Sequence, residues 1–177
     1  MWPAVMRFAR RALPWVCMLV GIWWLSGSGA PSAAFPAGTS LPDLALDLSD
    51  GTRLALPGQN GKPARVLVLN FWASYCAPCR AEAPILSALH ARNAAEVQVI
   101  GLSIEGLTRP QMLRAAQELG MRYPIAACDP PLLSRLRVRE VPTTYVIAKD
   151  GVITLSRVGA VTQSELEAAI DSAKRRG

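Results

Sequence analysis

Phe71-Trp72-Ala73-Ser74-Tyr75-Cys76-Ala77-Pro78-Cys79-Arg80 is the stretch that decides the fold of this chain, because the sequence pattern changes within it. Upstream, Val66-Leu67-Val68-Leu69-Asn70-Phe71 is nearly all apolar, as a strand covered on both faces is. Downstream, residues 77–93 carry helical apolar spacing through Ile85, Leu86 and Leu89. Two cysteines three apart therefore fall between the end of a buried strand and the first turn of a helix. There their Cα atoms can approach the ~5.5 Å that a disulfide prefers. Free N–H groups and the positive end of the helix favour a thiolate at that point. Pro78 suits a first helical turn, where no N–H is needed. Cys76, at the helix entry, is expected as the exposed attacking sulfur of lowered pKa, and Cys79 as the buried thiol that resolves a mixed disulfide.

Outward from this stretch, strand and helix patterns alternate. Leu41 to Leu56, with a turn signal at Asp50-Gly51, predicts a short hairpin before the main domain. After the first helix come a strand over 97–104, a helix over 110–119 closing at Gly120, a short strand over 125–128 and a short helix over 132–136. Strands over 143–148 and 152–157 flank Lys149-Asp150-Gly151, and a last amphipathic helix spans 162–175, with Thr162 or Ser164 near its cap and Glu165 in its first turn. This order predicts an α/β domain: a central mixed sheet flanked by helices, with an N-terminal hairpin.

The chain has 177 residues, 51% of them hydrophobic, a mean hydropathy of +0.22 and only four cysteines. Those values exclude a disordered chain and a small disulfide-stapled scaffold. Half of the net charge of +6 lies at one end. Residues 1–34 hold no acid, and Arg7, Arg10 and Arg11 precede an apolar run from Leu13 to Leu25. That run rises only about 20 Å as a helix, short of a ~30 Å hydrocarbon core, unless Ser26 to Ala30 extend it. Residues 1–34 are accordingly expected to be a signal peptide cleaved before Phe35 or a retained membrane anchor, with the rest exported. Residues 35–42 are expected to be a tether and 43–177 the domain. Three of the 19 basic residues lie in the targeting segment, so 16 remain against 13 acids, a net of +3 and no nucleic-acid footprint.

The same residues bear on other chemistries. A zinc site needs two ligands beyond the pair, and only Cys128 and His90 are on offer, neither in a second paired motif. A copper- or haem-handling protein would use the thiols as soft ligands but wants a further well-placed His or Met. A peroxide-reducing enzyme needs a P-x-x-x-T/S-x-x-C setting, which is missing. Cys128, at a strand end, is either a third redox thiol or a small buried hydrophobe. Glu105 reads as a solvated charge, and Arg135, Arg137 and Arg139 as either the border of a partner groove or a solvated face.

The segment from Trp72 to Cys79 resembles the active site of the thioredoxin superfamily, and Val141-Pro142-Thr143-Thr144 resembles its cis-proline segment. Within the superfamily, three features make the chain similar to the exported TlpA/ResA/CcmG (DsbE-like) group. These are the N-terminal export segment, the helix and strand inserted over about 110–128, and the motif of Cys76, Cys79, Glu82 and Pro84. The resemblance implies a thioredoxin-like fold and a thiol–disulfide oxidoreductase of reductase type that needs no cofactor and no metal. It implies protein disulfide substrates, among them apocytochrome c, a membrane thiol electron donor, and a place on the periplasmic side of the bacterial inner membrane. By the same likeness, Pro142 is expected to be cis, and Val141 to offer backbone hydrogen bonds to a bound strand. Trp72 and Tyr75 are expected at the partner surface. Two departures stand out. Asn70 replaces the buried Asp usual six residues before the first cysteine, and Tyr75 stands where many relatives have Trp. Glu82 resembles the acid that the group keeps near its cysteines, and is expected to manage the Cys79 proton.

Overall fold

Strand β3 (Val66–Trp72) is buried along its whole length, because it lies at the centre of a sheet with packed layers on both sides. The computed structural model describes residues 34–56 and 65–176. In these, β4 (Val97–Ser103) and β5 (Ile125–Ala127) run parallel on one side of β3. On the other side β6 (Thr143–Ile147) runs antiparallel to β3, and β7 (Ile153–Val158) antiparallel to β6. The order β5-β4-β3-β6-β7 is the mixed sheet that the alternation of patterns predicts. Strands β1 (Leu44–Asp47) and β2 (Arg53–Leu56) form a separate antiparallel hairpin. The Asp50 carboxylate closes its turn by accepting from the Thr52 N–H and hydroxyl.

Alternation along β3 divides the core in two. Val66, Val68 and Trp72 face helices α1 (Ala77–Asn93), α2 (Arg109–Glu118) and α4 (Gln163–Lys174), where Leu86, Met112, Leu166 and Ile170 complete the first core. Leu67, Leu69 and Phe71 face the second core, closed by Leu41, Leu44 and Leu46, and by Leu136 after helix α3 (Pro130–Arg135). Helix α4 opens with a capping box between Thr162 and Glu165, so Thr162 rather than Ser164 is its N-cap. No helix among the described residues is long and apolar enough to cross a membrane. Apart from Ala34, the expected export segment lies outside the described residues.

Residues 35–42, expected as a tether, are part of the folded layer instead. Ala34 and Leu41 are buried in the second core. The Phe35 ring meets Tyr145 edge-on at 6.4 Å, and the Phe35 N–H donates to the Tyr145 hydroxyl, which itself donates to the Leu136 carbonyl at 3.0 Å. Backbone bonds from Gly38 to Ile153 and from Ile153 to Thr39 extend the hold to the start of β7. Two of the unplaced arginines serve this layer. Arg137 lies over the Phe35 ring at 4.8 Å, and Arg135 donates to the Asp43 carbonyl. Composition rich in Pro, Ser, Ala and Gly hid this docking, because one aromatic ring and a few backbone bonds supply the anchorage.

Gly101, in the middle of β4, is fixed by close approach. A Cβ there would sit 3.0 Å from Trp72 Nε1, 3.1 Å from the Tyr123 ring and 3.2 Å from Ile125. All three belong to a packed core that has no slack to give. Gly101→Ala is expected to lower stability by about 1–3 kcal/mol, measured by urea unfolding.

Candidate functional site

The site is built where β3 ends and α1 begins. The chain leaves the sheet at Ala73, and the Cys76 N–H closes a tight turn onto the Ala73 carbonyl at 3.2 Å. Cys76 is the N-cap of α1, in extended backbone conformation, with Pro78 in the first turn. Its sulfur lies 3.2 Å from the Cys79 N–H, so the thiol position faces a free backbone donor at the positive end of the helix. Cys76 and Cys79 are joined as a disulfide. Cys76 keeps 6% of its surface and Cys79 none. The asymmetry has the expected direction, but Cys76 is less open than expected, because the bond to Cys79 draws its sulfur against the helix end.

Behind the pair lies a buried carboxylate. Glu82 follows Cys79 by one turn of α1 and is 1% exposed, on the same side of the helix. Its Oε1 accepts from Asn70 Nδ2 at 2.6 Å and its Oε2 from the Val161 N–H at 3.1 Å. Asn70 Nδ2 also reaches Thr144 Oγ1 at 3.1 Å. One carboxylate thus ties together α1, β3 and the entry to α4, with β6 joined through the amide. Burial pushes the Glu82 carboxyl above its ordinary value, outweighing the two hydrogen bonds that pull it down. Asn70 and Thr144 acquire a role that sequence alone did not give them. Their side chains face the helix because β3 and β6 pair with Asn70 opposite Thr144.

The Val141–Pro142 bond is cis, as expected. Pro142 is buried, and its carbonyl accepts from the Gly159 N–H. Val141 is half-buried and packs against the core that holds both cysteines. Tyr75 is 74% exposed, the outermost large side chain beside Cys76. Trp72, expected at the partner surface, is fully buried and cannot touch a partner. It is the last residue of β3, so its indole points into the first core beneath Gly101 rather than into the loop.

Cys128 is free and buried in the second core, on the opposite side of the sheet from the pair. Burial, with Asp129 nearby, pushes its thiol up to about 12, which leaves it unreactive as a nucleophile at neutral pH. The redox alternative for Cys128 therefore has no geometric support. Nor can it join the pair in a ligand set, and among the described residues no group of three His, Cys, Asp or Glu side chains is placed to hold a metal. Glu105, read from sequence as solvated, instead accepts both the N–H and the hydroxyl of Ser74. The only signal for it was its place at the end of the strand next to β3.

Comparison with known proteins agrees with this geometry. The profile of the AhpC/TSA family matches residues 37–156. The thioredoxin-like protein YneN of Bacillus subtilis is 30% identical over 136 residues, covering 76% of this chain and 78% of that one. The thiol-disulfide oxidoreductase ResA of Geobacillus kaustophilus is 27% identical, with 80% of each chain covered. Among solved structures, a Chlorobium tepidum protein provisionally assigned as the thiol:disulfide interchange protein DsbE superposes with a TM-score of 0.66 at 26% identity. That match covers 79% of this chain and 99% of that one.

Proposed function

This chain belongs to the AhpC/TSA family, and from that premise and its Cys76–Cys79 pair we propose that it is a protein-disulfide reductase working by dithiol exchange. In the reduced form, the Cys76 thiolate attacks a disulfide of the partner protein. A bond forms between Cys76 and one partner sulfur, and the other leaves as a thiolate that takes up a proton. Cys79 then gives its proton to Glu82 and attacks the Cys76 sulfur. The mixed disulfide breaks, the second partner sulfur leaves as a thiolate that takes up the proton held by Glu82, and the Cys76–Cys79 disulfide of this structure is left. Two electrons pass to the partner, and a thiol donor must return them. The observation that carries this reading is the oxidised pair at the N-terminus of α1 with a buried, raised carboxylate one turn behind it.

The partner is taken to be an extended protein segment that lies along the Val141 backbone beside Tyr75. The arginine-flanked apolar run at 13–25 supports a place on the periplasmic side of a bacterial inner membrane, anchored or freed by cleavage, with a membrane thiol as donor. Likeness to the TlpA/ResA/CcmG group supports apocytochrome c as one client. Redox titration against glutathione tests the direction. A reduction potential near thioredoxin's, about −270 mV, is expected, and one near about −120 mV would mark an oxidant and overturn the reductase reading.

A further inference from the structure

The turn that carries Cys76 is gripped from a strand to which the exchange chemistry assigns no part. Strand β4 runs parallel to β3 with Ser103 opposite Trp72, and the Ile104 N–H prolongs the ladder by donating to the Trp72 carbonyl at 3.1 Å. This delivers Glu105 beside the loop. Its carboxylate meets Ser74 with both oxygens: Oε2 accepts the backbone N–H and Oε1 accepts the hydroxyl at 2.8 Å. Glu105 is half-buried, and Gly106 behind it takes a left-handed φ of 66° that turns the chain away. Ser74 lies inside the turn closed by the Cys76 N–H on Ala73, so whatever fixes Ser74 fixes where Tyr75 and Cys76 point.

We propose that Glu105 is a positioning residue for disulfide exchange: its carboxylate locks Ser74, sets the presentation of Cys76, and restrains the Cys76 thiolate by its negative charge. The inference rests on the dithiol-exchange reading above. Two charge-assisted bonds to one serine hold the turn more firmly than neutral ones would. A carboxylate anchored two residues from the nucleophile also opposes the helix N-terminus, which favours the thiolate. Glu105 takes no proton in the reaction; it acts through Ser74 and through its field.

The test uses the reduced full-length chain as wild type, Glu105→Gln, Glu105→Ala and Ser74→Ala. Iodoacetamide alkylation of Cys76 is followed across pH, with the labelled cysteine identified by peptide mass. Both Glu105 variants lose the charge, so Cys76 should alkylate about threefold faster at pH 7, with a midpoint at lower pH. Ser74→Ala keeps the charge and the backbone donor and should follow the wild-type profile. Insulin reduction should fall about tenfold in Glu105→Ala and recover to within about threefold in Glu105→Gln, whose amide oxygen still accepts the Ser74 N–H. Alkylation profiles of both Glu105 variants superimposable on wild type, or Glu105→Ala reducing insulin within twofold of wild type, would overturn the proposal. If Glu105→Ala does not fold, the Glu105→Gln profile decides alone. A wild-type chain that fails to reduce insulin refutes the exchange reading, whereas the alkylation profile still decides the role of Glu105.

Discussion

Cys76→Ser is expected to abolish insulin reduction, by roughly three orders of magnitude or more, without loss of the fold. The variant keeps a side chain of similar size at the N-cap, and serine is itself a favoured N-cap residue. What it loses is the sulfur that forms the mixed disulfide, for which a hydroxyl has no substitute. Cys79→Ala should stop the same cycle one step later. Cys76 still attacks, but nothing inside the helix resolves the intermediate, so a covalent adduct with the client accumulates. Non-reducing electrophoresis should show the adduct, and mass spectrometry of the trapped partner names the client. Cys128→Ala serves as the internal control. Its thiol lies in the other core, with its proton held tightly by burial, so activity should stay within about twofold of wild type. Full activity in Cys76→Ser would contradict the assignment outright.

The second large effect is expected at Glu82. Glu82→Ala removes the acceptor for the Val161 N–H and one of two partners of Asn70 Nδ2, and leaves a void in the first core. Stability should fall by about 2–4 kcal/mol, read by urea unfolding of the oxidised protein. Glu82→Gln keeps the shape but trades one of the two acceptor oxygens for an NH2, so its pH dependence rather than its absolute stability isolates the proton chemistry. An amide takes no proton from Cys79, so release of the mixed disulfide at neutral pH should slow by about 10²-fold. The pH dependence of stability follows from the raised carboxyl. The folded chain holds this proton more tightly than the unfolded chain. The stability it contributes is therefore complete below the ordinary value of 4.5 and is lost as pH rises through the folded value. Glu82→Gln lacks that slope, so its stability relative to wild type should improve from about pH 4 toward neutrality. Parallel stability curves for the two proteins would show that the Glu82 proton is not coupled to folding.

The clearest part of the sequence was the part governed by local rules. An apolar run with no polar break except Asn70 reads as a strand covered on both faces, and its neighbours followed from helical or alternating patterns. The cysteine pair was legible because a disulfide spanning three residues and a helix N-terminus are both local geometry. Pro142 and Glu82 were legible through likeness to known proteins, which carries tertiary information that a single chain does not display. Trp72 shows where likeness misled. The resemblance implied a place at the partner surface, but its membership of β3 turned it inward.

What the sequence determined by itself was therefore the αβ order, the strand-to-helix junction and the cysteine pair, all set by contacts between residues close along the chain. Only the tertiary structure decided which polar groups meet. Glu82 finds Asn70 across 12 positions and Val161 across 79, Glu105 reaches Ser74 across 31, and the Tyr145 hydroxyl accepts from Phe35 across 110. Those pairings depend on strand register and on which face of the sheet a side chain occupies. A shift of one residue in pairing would send Asn70 and Tyr145 to the opposite core, so no reading of neighbours along the chain could have found these pairings.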